Sequence, residues 1–106
     1  MSQIKKLLGK RIKEIRISKG LTQEQLSEFT NIGAPSISKI ESGVYHPNDD
    51  NLEKIAEALG VEPYKLYMYN HLKDAKELRK EIEAKLSGAT DEEIRLLYKV
   101  VSIFLN

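Results

Sequence analysis

The sequence predicts an all-α protein in which a compact bundle of five short helices precedes a C-terminal hairpin of two helices. Apolar residues recur three or four positions apart along the candidate helices, which places them on one helical face. Thr22 with Gln25 and Thr90 with Glu93 form capping boxes that mark two helix starts, because each side chain satisfies a backbone N–H of the other residue. Glycine, asparagine or proline stands where these patterns break, as expected at helix ends.

The composition is that of a soluble globular chain, since 41% of its 106 residues are hydrophobic and 31% are charged. Cysteine is absent and His46 and His71 are the only histidines, so we expect no disulfide, no metal site and no cofactor. No N-terminal apolar run resembles a signal peptide, and no apolar span reaches about 18 residues. We therefore expect neither export nor a membrane-spanning segment.

The first predicted helix covers residues 4–19 and ends at Gly20, a residue type that favours helix termination. Its apolar stripe consists of Ile4, Leu8, Ile12 and Ile15. Residues 1–19 hold seven basic side chains against the single acidic Glu14, so this segment carries a net charge of +6 while the whole chain carries +1. A basic segment of this kind either attracts phosphate groups, with a strong salt dependence, or is an ordinary solvated helix face.

The chain is organised around residues 21–43, which read as two short helices joined by a tight turn. Asn31 ends the first of them, because asparagine accepts the left-handed backbone conformation of a sharp turn. Pro35 suits the first turn of the second helix, where its missing N–H costs nothing. The second helix is only about nine residues long, so it must be packed onto the rest of the chain to be stable.

Ile37 and Ile40 are predicted to point inward from this second short helix, which leaves a face of small or polar residues to solvent. That face consists of Ala34, Pro35, Ser38 and Lys39. A short convex face of this kind is better suited to insertion into a binding partner than to formation of a catalytic pocket.

The remainder of the bundle begins with a polar loop that Pro47 interrupts. Asn48 or a following aspartate caps a fourth helix over residues 50–59, and a fifth short helix begins near Pro63. The predicted shared core consists of Ile12, Ile15, Leu26, Phe29, Ile32, Ile37, Ile40, Leu52, Ile55, Leu59 and Leu66. A bundle of this size, about 60 residues, is only marginally stable alone.

Residues 68–106 are predicted to form two further helices. The apolar side of the first consists of Leu72, Ala75, Leu78, Ile82 and Leu86, and this helix stops at Ser87 and Gly88. The second begins at Thr90, continues to the C-terminus and is apolar most of the way round. Because one neighbouring helix covers only a stripe, the excess needs another partner, either the N-terminal domain or a second chain. The residues expected at a dimer interface are Ile94, Leu97, Val100, Val101 and Phe104.

Three sequence blocks, at residues 22–27, 37–43 and 51–61, resemble the phage-repressor (Cro-like, xenobiotic-response-element type) helix-turn-helix family in order and spacing. The resemblance covers roughly residues 8–67 and implies a five-helix repressor-like DNA-binding bundle. On this basis residues 1–69 form the DNA-binding domain, and residues 70–106 form a helical hairpin for dimerisation. The resemblance also implies that Arg16 pairs with Glu41 and locks the first and third helices in register, the alternative being a surface arginine without a fixed partner.

The resemblance further implies which residues meet DNA. The residues expected to face bases or the groove wall are Ala34, Pro35, Ser36, Ser38 and Lys39. Those expected near phosphates are Thr22, Gln23, Ser42, Tyr45 and His46, although Tyr45 packing over its own loop is an alternative. Ala34 and Pro35 occupy places that often hold long amide side chains, so Lys39 is the one long donor, suited to guanine O6 and N7. DNA shape is then expected to carry part of the specificity.

These observations favour a sequence-specific transcriptional regulator, a repressor that binds a palindromic operator in double-stranded DNA as a homodimer in the cytoplasm. The alternative is an antitoxin or adaptor whose C-terminal helices bind a different protein, with DNA binding secondary. The sequence shows no nucleophile–base pair, no glycine-rich phosphate loop and no metal-ligand spacing, so we do not expect an enzyme.

Overall fold

A computed structural model describes residues 3–105, and within this range the chain is all-α, which confirms the predicted fold class. The α-helices are α1 (Gln3–Ser18), α2 (Gln23–Thr30), α3 (Ala34–Glu41), α4 (Asp49–Leu59), α5 (Ala75–Ser87) and α6 (Asp91–Phe104). Two 3₁₀ helices, Pro63–Tyr67 and Asn70–Leu72, lie between α4 and α5, so the predicted fifth helix is a 3₁₀ helix. The chain divides into two compact units, the first ending at Lys73 and the second beginning at Asp74. No helix of the described range is long and apolar enough to cross a membrane.

The N-terminal unit packs α1 to α4 and the first 3₁₀ helix around one apolar core. The core residues are Leu8, Ile12, Ile15, Leu26, Ile32, Ile37, Ile40, Leu52, Ile55, Ala56, Leu59 and Leu66. The prediction was wrong for Phe29, whose side chain is 66% exposed. The short helix α2 buries Leu26 and Thr30, four positions apart, and Phe29 lies off that narrow row. Ile4 is also exposed, because the buried part of α1 begins at Leu7.

The contact between α1 and α3 is unusually close because it forms at a glycine. Gly9 is buried, and a Cβ atom built on it would overlap the carbonyl oxygen of Ile40 and lie 2.7 Å from that of Glu41. Glycine inside a helix costs about 0.5–1 kcal/mol of stability relative to alanine. The close approach of the α3 backbone, which leaves no room for a Cβ atom, explains why glycine nevertheless occupies this position. Sequence reasoning did not single out Gly9, although a glycine within an otherwise regular helical pattern was the available signal.

The segment after α4 folds back onto α1. Arg11 donates from Nε to the carbonyl oxygen of Lys65 at 3.0 Å, and His71 Nε2 lies 2.9 Å from Glu14 Oε1. The compact unit therefore includes residues 70–73, which the sequence assigned to the hairpin. Leu72 was predicted within the first hairpin helix, but it lies in the second 3₁₀ helix instead.

The C-terminal unit contains α5 and α6, and neither helix contributes a buried residue. Asp74 caps α5 by accepting from the backbone N–H of Lys76 at 2.9 Å, and the predicted capping box of Thr90 and Glu93 opens α6. Helix α6 ends at Phe104 rather than at the C-terminus, since Leu105 has extended backbone angles. The apolar side chains of α6 are all exposed, up to 78% at Phe104.

Candidate nucleic-acid interface

Helices α2 and α3 form a helix-turn-helix unit within the N-terminal unit. Thr22 Oγ1 accepts from the backbone N–H of Gln25 at 3.0 Å, and Gln25 Oε1 accepts from that of Thr22 at 2.9 Å, so the predicted capping box is present. Asn31 ends α2 in the left-handed conformation, with φ 58° and ψ 25°. Pro35 lies in the first turn of α3, where proline is tolerated.

Two hydroxyl groups hold the turn between these helices. Thr30 Oγ1 donates to the carbonyl oxygen of Leu26 at 2.7 Å and accepts from the backbone N–H of Ile32 at 3.2 Å. Ser27 Oγ donates to the carbonyl oxygen of Ile32 at 2.5 Å. Together with the burial of Ile32, these bonds fix the direction in which the chain enters α3. Sequence reasoning missed them, although serine and threonine in a last helical turn often bond nearby backbone groups.

The outward side of α3 carries the residues expected to face DNA bases. Pro35, Ser38 and Lys39 are exposed, whereas Ala34 and Ser36 are partly buried. Ile37 and Ile40 are buried on the opposite side, as predicted. The helix thus presents a narrow polar ridge, and the base-facing role of its residues stays a prediction.

Lys39 and Tyr45 lie against each other at the end of α3. Gly43 adopts a left-handed conformation, φ 82°, and the backbone N–H groups of Val44 and Tyr45 both donate to the carbonyl oxygen of Lys39, at 2.9 and 3.2 Å. Lys39 Nζ lies 3.3 Å from Tyr45 Oη and 5.1 Å from the centroid of the ring. Tyr45 therefore packs on Lys39, and its hydroxyl group remains at the protein surface.

The ion pair of Arg16 and Glu41 joins α1 to the end of α3. Arg16 donates from Nε to Glu41 Oε2 at 2.7 Å and from Nη2 to Glu41 Oε1 at 3.0 Å, which is a bidentate geometry. Its Nη1 donates to the carbonyl oxygen of Leu21 at 2.7 Å. Both side chains are buried, and Gln23 adds a bond from Nε2 to Glu41 Oε1 at 3.1 Å. The network thus connects α1, the start of α2 and the end of α3.

Most of the residues expected near phosphates already bond to the protein. Thr22 caps α2, and Gln23 donates to Glu41 as described above. Ser42 Oγ donates to the carbonyl oxygen of Lys39 at 3.2 Å. His46 Nδ1 lies 2.8 Å from the carbonyl oxygen of Pro47, which can only accept, so Nδ1 carries the proton. Their phosphate-binding role stays a prediction.

The basic segment of α1 divides into residues that bond within the protein and residues that do not. Arg16 is in the buried pair, and Arg11 donates from Nη1 to Glu14 Oε1 at 2.7 Å. The hydrogen bond from His71 and the one from Arg11 lower the pKa of the Glu14 carboxyl group. Lys6 and Lys10 form no ion pair within residues 3–105, and the backbone of Lys6 lies against Gly43 at the end of α3. Unpaired positive charge therefore borders the helix-turn-helix unit.

Two short helices joined by a tight turn, with a polar side of the second helix exposed, are the features of the helix-turn-helix class of DNA-binding domains. The helix-turn-helix family model matches residues 12–66. The chain belongs to this family, in its Cro-like, phage-repressor type of transcriptional regulator, which confirms the resemblance.

Relatives of the chain include a control protein, a phage immunity repressor and a restriction-modification controller protein. The control protein C.BamHI of Bacillus amyloliquefaciens is 40% identical over 63 residues, 58% of this chain and 78% of that protein. The immunity repressor protein of Bacillus phage phi105 is 42% identical over 55 residues, 52% of this chain but only 38% of that protein. A chain of the restriction-modification controller protein C.Esp1396I, solved as a tetramer in complex with its natural 35 base-pair operator, aligns with a TM-score of 0.59 at 31% identity. That alignment covers 64% of this chain and 90% of the controller chain.

Proposed function

We propose that this protein is a sequence-specific transcriptional repressor that inserts α3 into the major groove of double-stranded DNA. The observation that carries the proposal is the two-sided character of α3: Ile37 and Ile40 are buried, while Pro35, Ser38 and Lys39 are exposed. Relatives that are an immunity repressor and an operator-bound controller protein support it. Because a DNA target requires access to the nucleoid, we propose a cytoplasmic location.

Base readout is proposed for the outward residues of α3, namely Ala34, Pro35, Ser36, Ser38 and Lys39. Ala34 and Pro35 offer only apolar contacts, such as contacts to thymine methyl groups. Lys39 has the length and the donors to reach guanine O6 and N7. Since few side chains can bond bases directionally, sequence-dependent DNA shape supplies the rest of the specificity.

Phosphate binding is proposed for Thr22, Gln23, Ser42, Tyr45 and His46, which flank the two ends of the helix-turn-helix unit. Gln23 and Thr22 each keep a side-chain donor that their existing bonds do not use. Gln23 bonds Glu41 through Nε2, and the second N–H of that amide remains for a phosphate oxygen. Thr22 accepts a bond through Oγ1, which leaves its hydroxyl proton to donate. Contacts of this kind set the register on DNA without reading sequence.

Dimerisation through the C-terminal hairpin, predicted over residues 70–106, is proposed because the apolar side chains of α6 are exposed. The proposed interface residues are Ile94, Leu97, Val100, Val101 and Phe104, and all of them are exposed. Two-fold pairing of α6 would bury this surface and space two copies of α3 by about 34 Å, one turn of the duplex. A palindromic operator follows from that symmetry. The same exposed surface also favours the second candidate, an antitoxin or adaptor that binds a different protein through α6.

Selection of DNA by the purified full chain from a random pool, followed by sequencing, tests this function. We expect an enriched palindrome whose half-sites lie about 10 base pairs, or a multiple of this, apart. Enrichment of a single half-site would contradict binding to a palindrome as a dimer and would favour the second candidate. No enrichment at salt concentrations that suppress non-specific binding would overturn the repressor proposal itself.

A further inference from the structure

We infer that Tyr45 is a positioning residue for base readout, because it holds the Lys39 ammonium group where Lys39 can donate two hydrogen bonds to one guanine. The inference rests on the proposed function, since it requires α3 to lie in the major groove. It assigns Tyr45 a role in specificity, in addition to the phosphate contact proposed above. The pair of side chains is called the Lys39–Tyr45 unit below.

The backbone places Tyr45 beside Lys39. After α3 the chain reverses at Gly43, whose φ of 82° favours glycine. A Cβ atom at this position would also lie 2.9 Å from Cα of Lys6, so α1 limits the space for a side chain. The backbone N–H groups of Val44 and Tyr45 then bond the Lys39 carbonyl oxygen. The position of Tyr45 is therefore fixed by the turn, and the side-chain contact follows from it.

The side chains make two kinds of contact. The distance of 3.3 Å between Lys39 Nζ and Tyr45 Oη is that of a hydrogen bond, and the distance of 5.1 Å from Nζ to the ring centroid lies in the range of cation–π attraction. A lysine has a long flexible stem, so an unrestrained ammonium group samples many positions. Tyr45 restricts that sampling before DNA binds, and this lowers the entropy lost on binding.

The count of donors suits guanine. A lysine ammonium group has three N–H donors, and Tyr45 Oη accepts one of them. Two donors remain, and guanine offers two acceptors, O6 and N7, in the major groove. The phenol proton of Tyr45 is not used in this contact, so it can still donate to a phosphate oxygen. The Lys39–Tyr45 unit would then connect a base contact to a backbone contact.

A double-mutant cycle on the full chain tests the inference. The probes are the duplex that the wild-type protein enriches from a random pool and a set of duplexes in which each guanine pair is replaced singly. The proteins are wild type, Lys39→Ala, Tyr45→Ala and the double variant. Tyr45→Phe separates the hydroxyl group from the ring, and Tyr64→Phe is the matched control, because Tyr64 is an exposed tyrosine of the first 3₁₀ helix. Thermal melts confirm that each variant is folded.

We expect Lys39→Ala to lose roughly 5- to 150-fold discrimination at one guanine. Tyr45→Ala should lose about threefold to tenfold at the same guanine in the wild-type background, and nothing further when Lys39 is already alanine. Tyr45→Phe should lie between wild type and Tyr45→Ala, and Tyr64→Phe should match wild type. A loss of affinity in Tyr45→Ala that is equal on all duplexes would show a phosphate contact without positioning of Lys39, and would overturn the inference.

Two results overturn the inference and are distinguishable. In the first result, Lys39→Ala changes discrimination, whereas Tyr45→Ala either leaves it unchanged or adds its effect to that of Lys39→Ala. Tyr45 then does not position Lys39, and the proposed base readout by Lys39 stands. If Lys39→Ala leaves every base preference unchanged, the proposed base contact of Lys39 is wrong, and the inference is wrong with it.

Discussion

Arg16 and Glu41 form a buried bidentate pair, with 2.7 Å between Nε and Oε2, and this pair fastens α3 to α1. Gln23 donates to the same carboxylate, and within residues 3–105 no buried side-chain nitrogen or oxygen lacks a hydrogen-bond partner. A buried pair gives little net stabilisation over a well-packed apolar pair, but the removal of one partner leaves an uncompensated buried charge.

Substitution of one partner of this pair should therefore be costly. We expect Arg16→Ala or Glu41→Ala to lower the free energy of unfolding by roughly 3–5 kcal/mol, and the double variant Arg16→Met with Glu41→Leu to recover much of the loss. Urea denaturation of each variant measures this. Lys54→Ala is the control, because Lys54 and Asp50 form an exposed pair at 3.1 Å that should contribute under about 1 kcal/mol. Equal small losses in all variants would show that the Arg16–Glu41 pair behaves as a surface pair.

Gly9→Ala should destabilise the N-terminal unit, because the added methyl group would overlap the backbone carbonyl oxygens at the end of α3. We expect a loss of about 1–3 kcal/mol in the free energy of unfolding, as for other overpacked sites. Thermal and urea melts measure it. Gly88→Ala is the matched control, since a Cβ atom there meets nothing closer than 4.0 Å. A Gly9→Ala protein as stable as wild type would contradict the close approach of α1 and α3.

The stability of the N-terminal unit should depend on the ionisation of Glu14. The hydrogen bonds from His71 and Arg11 lower its pKa below the ordinary value of 4.5. A carboxyl group with a lowered pKa in the folded state stabilises the fold above the unfolded-state pKa, and this contribution disappears as the pH falls through the folded-state pKa. The difference in unfolding free energy between wild type and Glu14→Gln should therefore shrink as the pH falls from 6 to about 3.

Urea denaturation across that pH range measures the difference. His71→Ala should weaken the pH dependence, because the His71 hydrogen bond is the largest cause of the lowered pKa. A difference between wild type and Glu14→Gln that stays constant with pH would contradict the prediction.

Gln23→Ala tests a residue that bonds Glu41 and is proposed to bind phosphate. We expect affinity for the enriched duplex and for unrelated DNA to fall by similar factors, with base preference unchanged, because a phosphate contact carries no sequence information. We also expect a loss of about 1–3 kcal/mol in stability, from the bond to the buried carboxylate. Titrations well below the melting temperature separate the two effects. A changed base preference would show that Gln23 reads bases or orients α3.

Local rules predicted much of this fold from the sequence. The capping boxes at Thr22 and Thr90, the stop at Asn31 and the apolar core depend on neighbouring residues and on helical spacing, which a sequence shows directly. The prediction errors arose at residues whose burial or role depends on how the helices pack against each other. Phe29 has the correct spacing for the core, but the narrow buried row of α2 excludes it. Gly9 is explained only by the approach of α3.

At the candidate site too, the sequence indicated individual residues but not the contacts that depend on the folded backbone. The motif spacing predicted Lys39 and Tyr45 as separate DNA contacts. The two residues lie six positions apart, and nothing in the sequence indicates that their side chains touch. Their contact depends on the left-handed turn at Gly43, which returns the chain onto α3. The bonds of Ser27 and Thr30 to the turn likewise appear only with the backbone in place.

The exposed apolar side of α6 should control assembly and, through it, DNA affinity. Leu97 and Val101 lie on one side of α6, and Lys99 lies about half a helical turn away. We expect Leu97→Glu with Val101→Glu to convert a dimer into a monomer, because charges would replace the proposed buried contact. Lys99→Glu is the matched control and should leave the dimer intact. Analytical ultracentrifugation of the full-length variants measures their assembly.

A chain that ends after Lys73 makes the same test without α5 and α6. The cut lies beyond Glu14 and His71, whose bond keeps residues 70–73 on the N-terminal unit, so the shortened chain should fold. It should be monomeric and lose roughly 100-fold or more in affinity for the enriched duplex, because the second half-site would no longer be held close by. Gel-shift titrations beside sedimentation measure both quantities. If the shortened chain stays dimeric, or binds the duplex as tightly as the full chain, α6 serves a different partner and the adaptor function takes precedence.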